Sequence, residues 1–188
     1  MFKKLTLSAA LLAATSIGFA QEGEYAKGGY IGTFFSSNSI EVDGSGYDIE
    51  AEPTSFGVRA GYYLIPQVAL EVRYSVEVSD DNAEVNNIDS GVDVSLPYNY
   101  GAFIKAGYPT KHIEPYILLG WNKFELEAEA NGYNASTTDS GAALGLGLGF
   151  FFNESLGMNL EVLSVHSAEE DDVEETIGQA SLGLVYSF

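Results

Sequence analysis

The sequence predicts an all-β protein, an eight-stranded antiparallel up-and-down barrel. Three observations predict it. Long segments alternate apolar and polar residues with period two, which is the strand signature. Glycine is abundant, at 21 residues, beside 12 Tyr and 11 Phe and no cysteine, a composition suited to β structure without disulfides. The connections between the alternating segments are tight and long in turn.

The first stretch stands apart from the fold. "MFKKLTLSAALLAATSIGFA" carries Lys3 and Lys4, then an apolar run from Leu5 to Ala14, then Gly18-Phe19-Ala20. That is the charged, apolar, small-residue order of a secretory signal, with cleavage expected after Ala20. A membrane anchor is the alternative, but its apolar part falls short of the roughly 20 residues a spanning helix needs. Residues 1–20 are read as a cleaved signal, 21–27 as a short N-terminal segment and 28–188 as the barrel.

Charge excludes one class of partner. The net charge is −19, and without Lys3 and Lys4 six cations stand against 27 carboxylates, or −21. Too few cations remain to neutralise phosphates, so nucleic acid is not a partner. The lack of cysteine removes thiolate metal sites and a cysteine nucleophile.

The expected strands are Gly28–Ile40, Thr54–Leu64, Gln67–Ser79, Val92–Ala106, Ile113–Ala128, Ser140–Phe152, Leu156–Ser167 and Thr176–Phe188. Soluble strands usually run about five or six residues, whereas a tilted membrane strand needs about nine to eleven. Ile65-Pro66, Gly107–His112 and Asn153–Ser155 make tight turns, while 41–53, 80–91, 129–139 and 168–175 read as long loops.

The first strand, "GGYIGTFFSSNSI", shows no clean phase. In the second, Phe56, Val58, Ala60, Tyr62 and Leu64 oppose Ser55, Gly57, Arg59, Gly61 and Tyr63. In the third, Val68, Leu70, Val72, Tyr74, Val76 and Val78 oppose Gln67, Ala69, Glu71, Arg73, Ser75 and Glu77. The fifth, "HIEPYILLGWNKFELEAEA", favours Ile117, Leu119 and Trp121 on one face, then switches at Phe124 and Leu126. A bulge near Asn122 accounts for the switch, or else that part stands clear of the membrane. In the sixth, Leu144, Leu146, Leu148, Phe150 and Phe152 oppose Ala143, Gly145, Gly147, Gly149 and Phe151. The last, "ASLGLVYSF", alternates to its terminal Phe188.

Each clean strand has one greasy face and one polar, charged or small face. A soluble barrel, such as a lipocalin-like carrier, buries the greasy face and leaves glycines outside, where they gain nothing. A small barrel in lipid does the reverse, because eight strands enclose just enough room for side chains to fill. By this phase the lumen holds Arg59, Glu71, Arg73, Glu77, Lys105 and Glu161, three cations and three anions able to pair. A charge facing mid-bilayer lipid instead costs about 2–4 kcal/mol. Outward aromatics near strand ends, Tyr62, Tyr74, Tyr98, Tyr100, Trp121, Phe150, Phe152, Tyr186 and Phe188, are expected at the two membrane interfaces.

The signal, the eight alternating segments and the terminal "ASLGLVYSF" resemble the small outer-membrane barrels of the OmpA-transmembrane-domain and OmpX-like kind, over essentially all of 28–188. The resemblance implies an eight-stranded antiparallel up-and-down transmembrane β-barrel with short periplasmic turns and long acidic outer loops. It implies the outer membrane of a Gram-negative bacterium, with outer-membrane lipid and lipopolysaccharide as surroundings. It also implies that Leu182, Leu184, Tyr186 and Phe188 form the C-terminal signal read by the barrel-insertion machinery. No cofactor or metal is implied.

Twenty of the 27 acids cluster at the expected long loops, with no Lys or Arg among them. Glu41, Asp43, Asp48, Glu50 and Glu52 lie at the first; Asp80, Asp81, Glu84, Asp89 and Asp93 at the second; Glu125, Glu127, Glu129 and Asp139 at the third; Glu169, Glu170, Asp171, Asp172, Glu174 and Glu175 at the fourth. One reading is a solvated, like-charged surface. The sharper reading is loose divalent-cation binding, with Glu169, Glu170, Asp171 and Asp172 as ligands, or a surface ligand at the loops.

Enzyme chemistry has little to work with. His112 falls in a tight turn. His166 has Ser164 and Ser167 near it but not in a deacylase-like order, so His166, Ser164 and Glu161 are the residues to test. The expectation is a structural, surface-interacting barrel rather than an enzyme. A narrow cation-preferring pore is the alternative, and a lipid A-modifying barrel enzyme ranks below it.

Overall fold

The computed structural model describes residues 28–44, 47–79, 81–85, 88–130, 133–170 and 173–188. The expected signal, residues 1–20, and the segment 21–27 lie outside the described residues. The strands are β1 (Gly28–Gly44), β2 (Tyr47–Ala51), β3 (Thr54–Ile65), β4 (Val68–Ser79), β5 (Asp81–Val85), β6 (Ile88–Ser95), β7 (Tyr98–Gly107), β8 (Ile113–Ala130), β9 (Tyr133–Phe151), β10 (Leu156–Glu170) and β11 (Val173–Ser187). All neighbours pair antiparallel, and β1 closes on β11 from Tyr30↔Ser187 to Asp43↔Glu174.

The barrel has eight staves in its lower part: β1, β3, β4, β7, β8, β9, β10 and β11. Two staves are broken further up: β2 continues the line of β3 past Glu52-Pro53, and β6 that of β7 past Leu96-Pro97, while β5 lies along the line of β4. The pieces rejoin above, where β1 pairs with β2, β2 with β5, β5 with β6 and β6 with β8. The expected single strand Val92–Ala106 is therefore two, because Pro97 cannot donate to a ladder. The segments expected as long loops are mostly strand: the connections at that end are hairpins that carry the wall outward.

The joints are stitched from neighbouring staves. Asn38 donates its backbone N–H and its Nδ2 to the Pro53 carbonyl, each at 3.0 Å, and Nδ2 also reaches Ser55 Oγ at 2.9 Å. Glu77 donates its N–H to the Pro97 carbonyl at 3.4 Å, and its carboxylate accepts the Leu96 N–H.

The greasy faces point outward. Val72 is 57% exposed and Val162 57%, against 2% for Arg59 and 5% for Glu161. The unphased first strand resolves because both its faces carry aromatics: Tyr30 and Phe34 turn inward, Ile31 and Phe35 outward. The expected bulge near Asn122 is absent. Pairing of β8 with both neighbours is continuous through Asn122, so Phe124 keeps the inward phase of Tyr116 and Leu118. The switch in hydropathy therefore falls within one strand of constant phase, where Trp121 is followed on the outer face by Lys123.

Inward glycines face inward rings on the adjacent stave. Tyr30 lies opposite Gly61, Phe34 opposite Gly57, Phe103 opposite Gly120 and Tyr116 opposite Gly147. A Cβ at any of these glycines would run into its ring. The glycines make the room that eight staves otherwise lack.

Candidate functional site

The lumen holds two charge clusters. In the larger, Glu161 on β10 accepts from Arg59 Nη1 at 2.6 Å, Arg73 Nη1 at 2.8 Å and Arg73 Nη2 at 3.0 Å. The Tyr116 hydroxyl and Ser181 Oγ also donate to it. Arg73 turns its Nε to Glu71 at 2.5 Å, and Tyr30 donates to the other Glu71 oxygen at 2.5 Å. In the smaller cluster, Lys105 Nζ donates to Glu114 at 2.6 Å and to the Tyr63 hydroxyl at 3.0 Å, while that hydroxyl donates to Glu114. The cations also lie over rings: Arg59 is 4.9 Å from the Phe34 centroid, Arg73 5.0 Å from Phe103 and Lys105 4.1 Å from Tyr116. Three cations thus meet three carboxylates in a buried interior, where pairing offsets the cost of removing each charge from water.

Five of the six expected lumenal charges are brought together here. Glu77 is not: it points the same way but sits higher and serves the joint at Leu96-Pro97. Its place is taken by Glu114, which the sequence reading passed over. The signal was available. If Ile117, Leu119 and Trp121 face lipid, then Glu114 and Tyr116 face the lumen by the same alternation.

Above the charges, the interior changes character. A polar layer comes first, with Gln179 donating to Asn38 Oδ1 at 2.9 Å and to Ser36 Oγ at 3.3 Å. Beyond it Ile40, Leu96, Phe124, Leu163, Val165 and Ile177 join one apolar cluster that runs down the β7–β9 side to Phe103, Tyr116 and Leu118. Val94 and Leu126 pack on it. The outer face becomes polar at the same height: on β8, Trp121 gives way to Lys123, Glu125, Glu127 and Glu129.

The expected interfacial aromatics all lie on the outer face. Tyr62, Phe150, Phe152, Tyr186 and Phe188 sit toward the short turns. Tyr74, Tyr98, Tyr100 and Trp121 sit toward the hairpin end, with the Tyr98 and Tyr100 rings stacked at 6.2 Å. Leu182 and Leu184 are outward on β11 between these belts. Phe188 exchanges backbone hydrogen bonds with Gly29 at 2.9 and 3.1 Å.

Of the expected cation ligands, Asp171 and Asp172 lie outside the described residues. Glu169 and Glu170 belong to the β10 backbone, paired with Glu174 and Val173. Of the enzyme candidates, Glu161 is fully engaged by its two arginines, Ser164 is on the opposite face of β10, and the His166 backbone pairs with Ile177.

A closed barrel with lipid-facing aliphatics and a charge-paired lumen defines an integral β-barrel membrane protein. The chain belongs to the family described as outer membrane protein beta-barrel domain, which matches residues 7–188. Its fold is similar to that of Neisserial surface protein A, at 17% identity and a TM-score of 0.63, covering 86% of this chain and 98% of that one. It is also similar to Ail, the attachment invasion locus protein of Yersinia pestis, at 18% identity and a TM-score of 0.60, covering 86% and 99%. A third similar structure is OprG of Pseudomonas aeruginosa, at 16% identity and a TM-score of 0.59, covering 90% and 99%. Among curated proteins, none matches by sequence.

Proposed function

We propose that this barrel is a structural, surface-displaying protein of the Gram-negative outer membrane, with a sealed lumen and neither pore nor enzyme activity. One observation carries the reading: the lumenal charges are spent on one another beneath an apolar cluster. A cation pore needs a continuous water path with charges left to attract ions. Here Glu161 and Glu71 hold Arg59 and Arg73, and Glu114 holds Lys105. An enzyme needs a nucleophile and base facing an open site, and Glu161 is already fully engaged.

The remaining roles follow from this reading. Leu182, Leu184, Tyr186 and Phe188 serve as the label for barrel insertion, and the two aromatic belts anchor the barrel in lipid and lipopolysaccharide. The acidic hairpins face the outside, where they meet divalent cations or a surface ligand.

The test is conductance. The refolded barrel, verified by a band that shifts on boiling, is added to a planar bilayer. No discrete conductance steps are expected. A stable cation-selective conductance would overturn the sealed reading.

A further inference from the structure

Among the described residues, the short-turn end of the barrel carries a single Lys or Arg. Arg59, Arg73 and Lys105 are spent on lumenal carboxylates, and Lys123 lies on the outer face above Trp121. Lys111 is at the other end, in the turn between β7 and β8, with His112 beside it. Both are exposed. Among the described residues neither side chain has a hydrogen-bond or ion-pair partner, and Glu154, exposed on the next short turn, leaves Lys111 unpaired.

This turn is held in one shape. Thr110 donates its N–H to the Ile113 carbonyl at 2.9 Å and its Oγ1 to the same carbonyl at 2.7 Å, while Ile113 returns its N–H to Thr110 Oγ1 at 3.1 Å. The flanks are tied to both neighbours: the Gly107 N–H reaches the Gln67 carbonyl at 2.8 Å, and the Phe151 N–H reaches the His112 carbonyl at 2.8 Å. The N–H groups of Lys111 and His112 themselves find no acceptor among the described residues. Depth follows from the next residue. Ile113 faces lipid, 42% exposed, and pairs with Phe150 of the lower aromatic belt. Such belts sit at headgroup level, so Lys111 and His112 lie just beyond it, among the lipid phosphates.

We propose that the Thr110–Ile113 turn binds the phosphate of an anionic phospholipid in the periplasmic leaflet. The donors suit that group: an ammonium, an imidazole and two successive backbone N–H groups on a turn already fixed in place. A cation near the membrane surface draws anionic lipid to itself. A zwitterionic lipid brings its own cation to the same spot and gains less. The acid-rich hairpins at the far end repel such headgroups, so the two ends of the barrel differ in lipid preference. That the leaflet is the periplasmic one rests on the surface-display reading, which puts the hairpins outside; the chemistry of the turn does not.

The test moves the sole tryptophan beside the turn, as Ile113→Trp with Trp121→Phe. The barrel is refolded into mixed phosphatidylcholine and phosphatidylglycerol vesicles, with one lipid or the other brominated. If Ile113→Trp does not give the band that shifts on boiling, Phe150→Trp takes its place. Brominated phosphatidylglycerol is expected to quench as if enriched about fivefold over phosphatidylcholine, and high salt should reduce the preference. Lys111→Gln with His112→Gln should bring the two lipids to equality, while Lys123→Gln should leave the preference unchanged. Equal quenching in the parent barrel, or a preference that survives the double substitution, overturns the inference. So does retention on peptidoglycan sacculi, without lipid preference, that the double substitution abolishes. Orientation is read separately on whole cells. The chain has no cysteine, so Ser136→Cys and Glu154→Cys are each labelled singly by an impermeant maleimide, and labelling of Ser136→Cys alone is expected. Labelling of Glu154→Cys overturns the orientation beneath the inference, while a correctly oriented barrel with no lipid preference overturns the inference alone.

Discussion

Two regions of one wall obey opposite rules. Below a line from Phe35 to Trp121 the staves are aliphatic outside and charged inside; above it they are acidic outside and apolar inside. β8 spans both without a break in phase. Its outer face runs Ile117, Leu119, Trp121, Lys123, Glu125, Glu127, and its inner face Glu114, Tyr116, Leu118, then Asn122, Phe124, Leu126. The backbone geometry is constant, and only the solvent changes. In hydrocarbon the outside must be greasy, and polar groups retreat inward where they pair. In water the ordinary rule returns and the apolar groups take the inside.

That contrast can be broken by experiment, and the largest effect belongs to the lower region. Glu161→Ala leaves Arg59 and Arg73 without their shared carboxylate in the lumen. Breaking a buried ion pair from one side costs about 3–5 kcal/mol. The loss should appear in denaturant unfolding from lipid vesicles, followed by emission of Trp121, the sole tryptophan. A loss below about 1 kcal/mol, the range of exposed pairs, would mean that water reaches the cluster.

The second comparison stays on one strand and one face. Ile117→Arg places a cation against lipid and should cost about 2–4 kcal/mol if it lies near mid-bilayer. Glu129→Arg, twelve residues on and exposed, should change stability by no more than about 0.5 kcal/mol, as exposed positions usually do. Equal costs would move the membrane boundary from where Trp121 puts it.

The smallest effect sharpens the upper region. Ile177 is fully buried beside Val165. Ile177→Val should cost about 0.5–1.5 kcal/mol, the usual penalty for one methylene in a packed core. No change in amide exchange at β11 and β1 would show that the upper interior is wet.

Much of this was legible in the sequence, and the gaps have physical causes. The clean strands, β3, β4 and β9, separate greasy from small or charged residues, so their phase could be read directly. β1 could not be phased because an aromatic is useful on both faces: outside against lipid, inside against a glycine or under a guanidinium. The fifth strand left two readings open at Asn122, a bulge or an exit from the membrane, because a change of solvent and a slip of register leave the same mark on hydropathy. Period-two patterns report polarity relative to the surroundings, and the surroundings changed at Trp121. Glu77 was assigned to the lumenal pairs because its face is right, but face does not give height. The upper hairpins were read as loops because acid-rich segments look like loops when no neighbouring strand can be seen.

The staves β1 and β8 to β11 run unbroken between the two tiers, while the lines of β3 and β7 are cut at Pro53 and Pro97. Mechanically, the upper ring is a cantilever: stiff where continuous strands carry it, compliant where it rests on Asn38 and Glu77 across the cuts. A sideways load on the projecting hairpins is borne by the spine of long strands and relieved at the two joints. The membrane-embedded hoop below is thereby shielded from what happens at its tip.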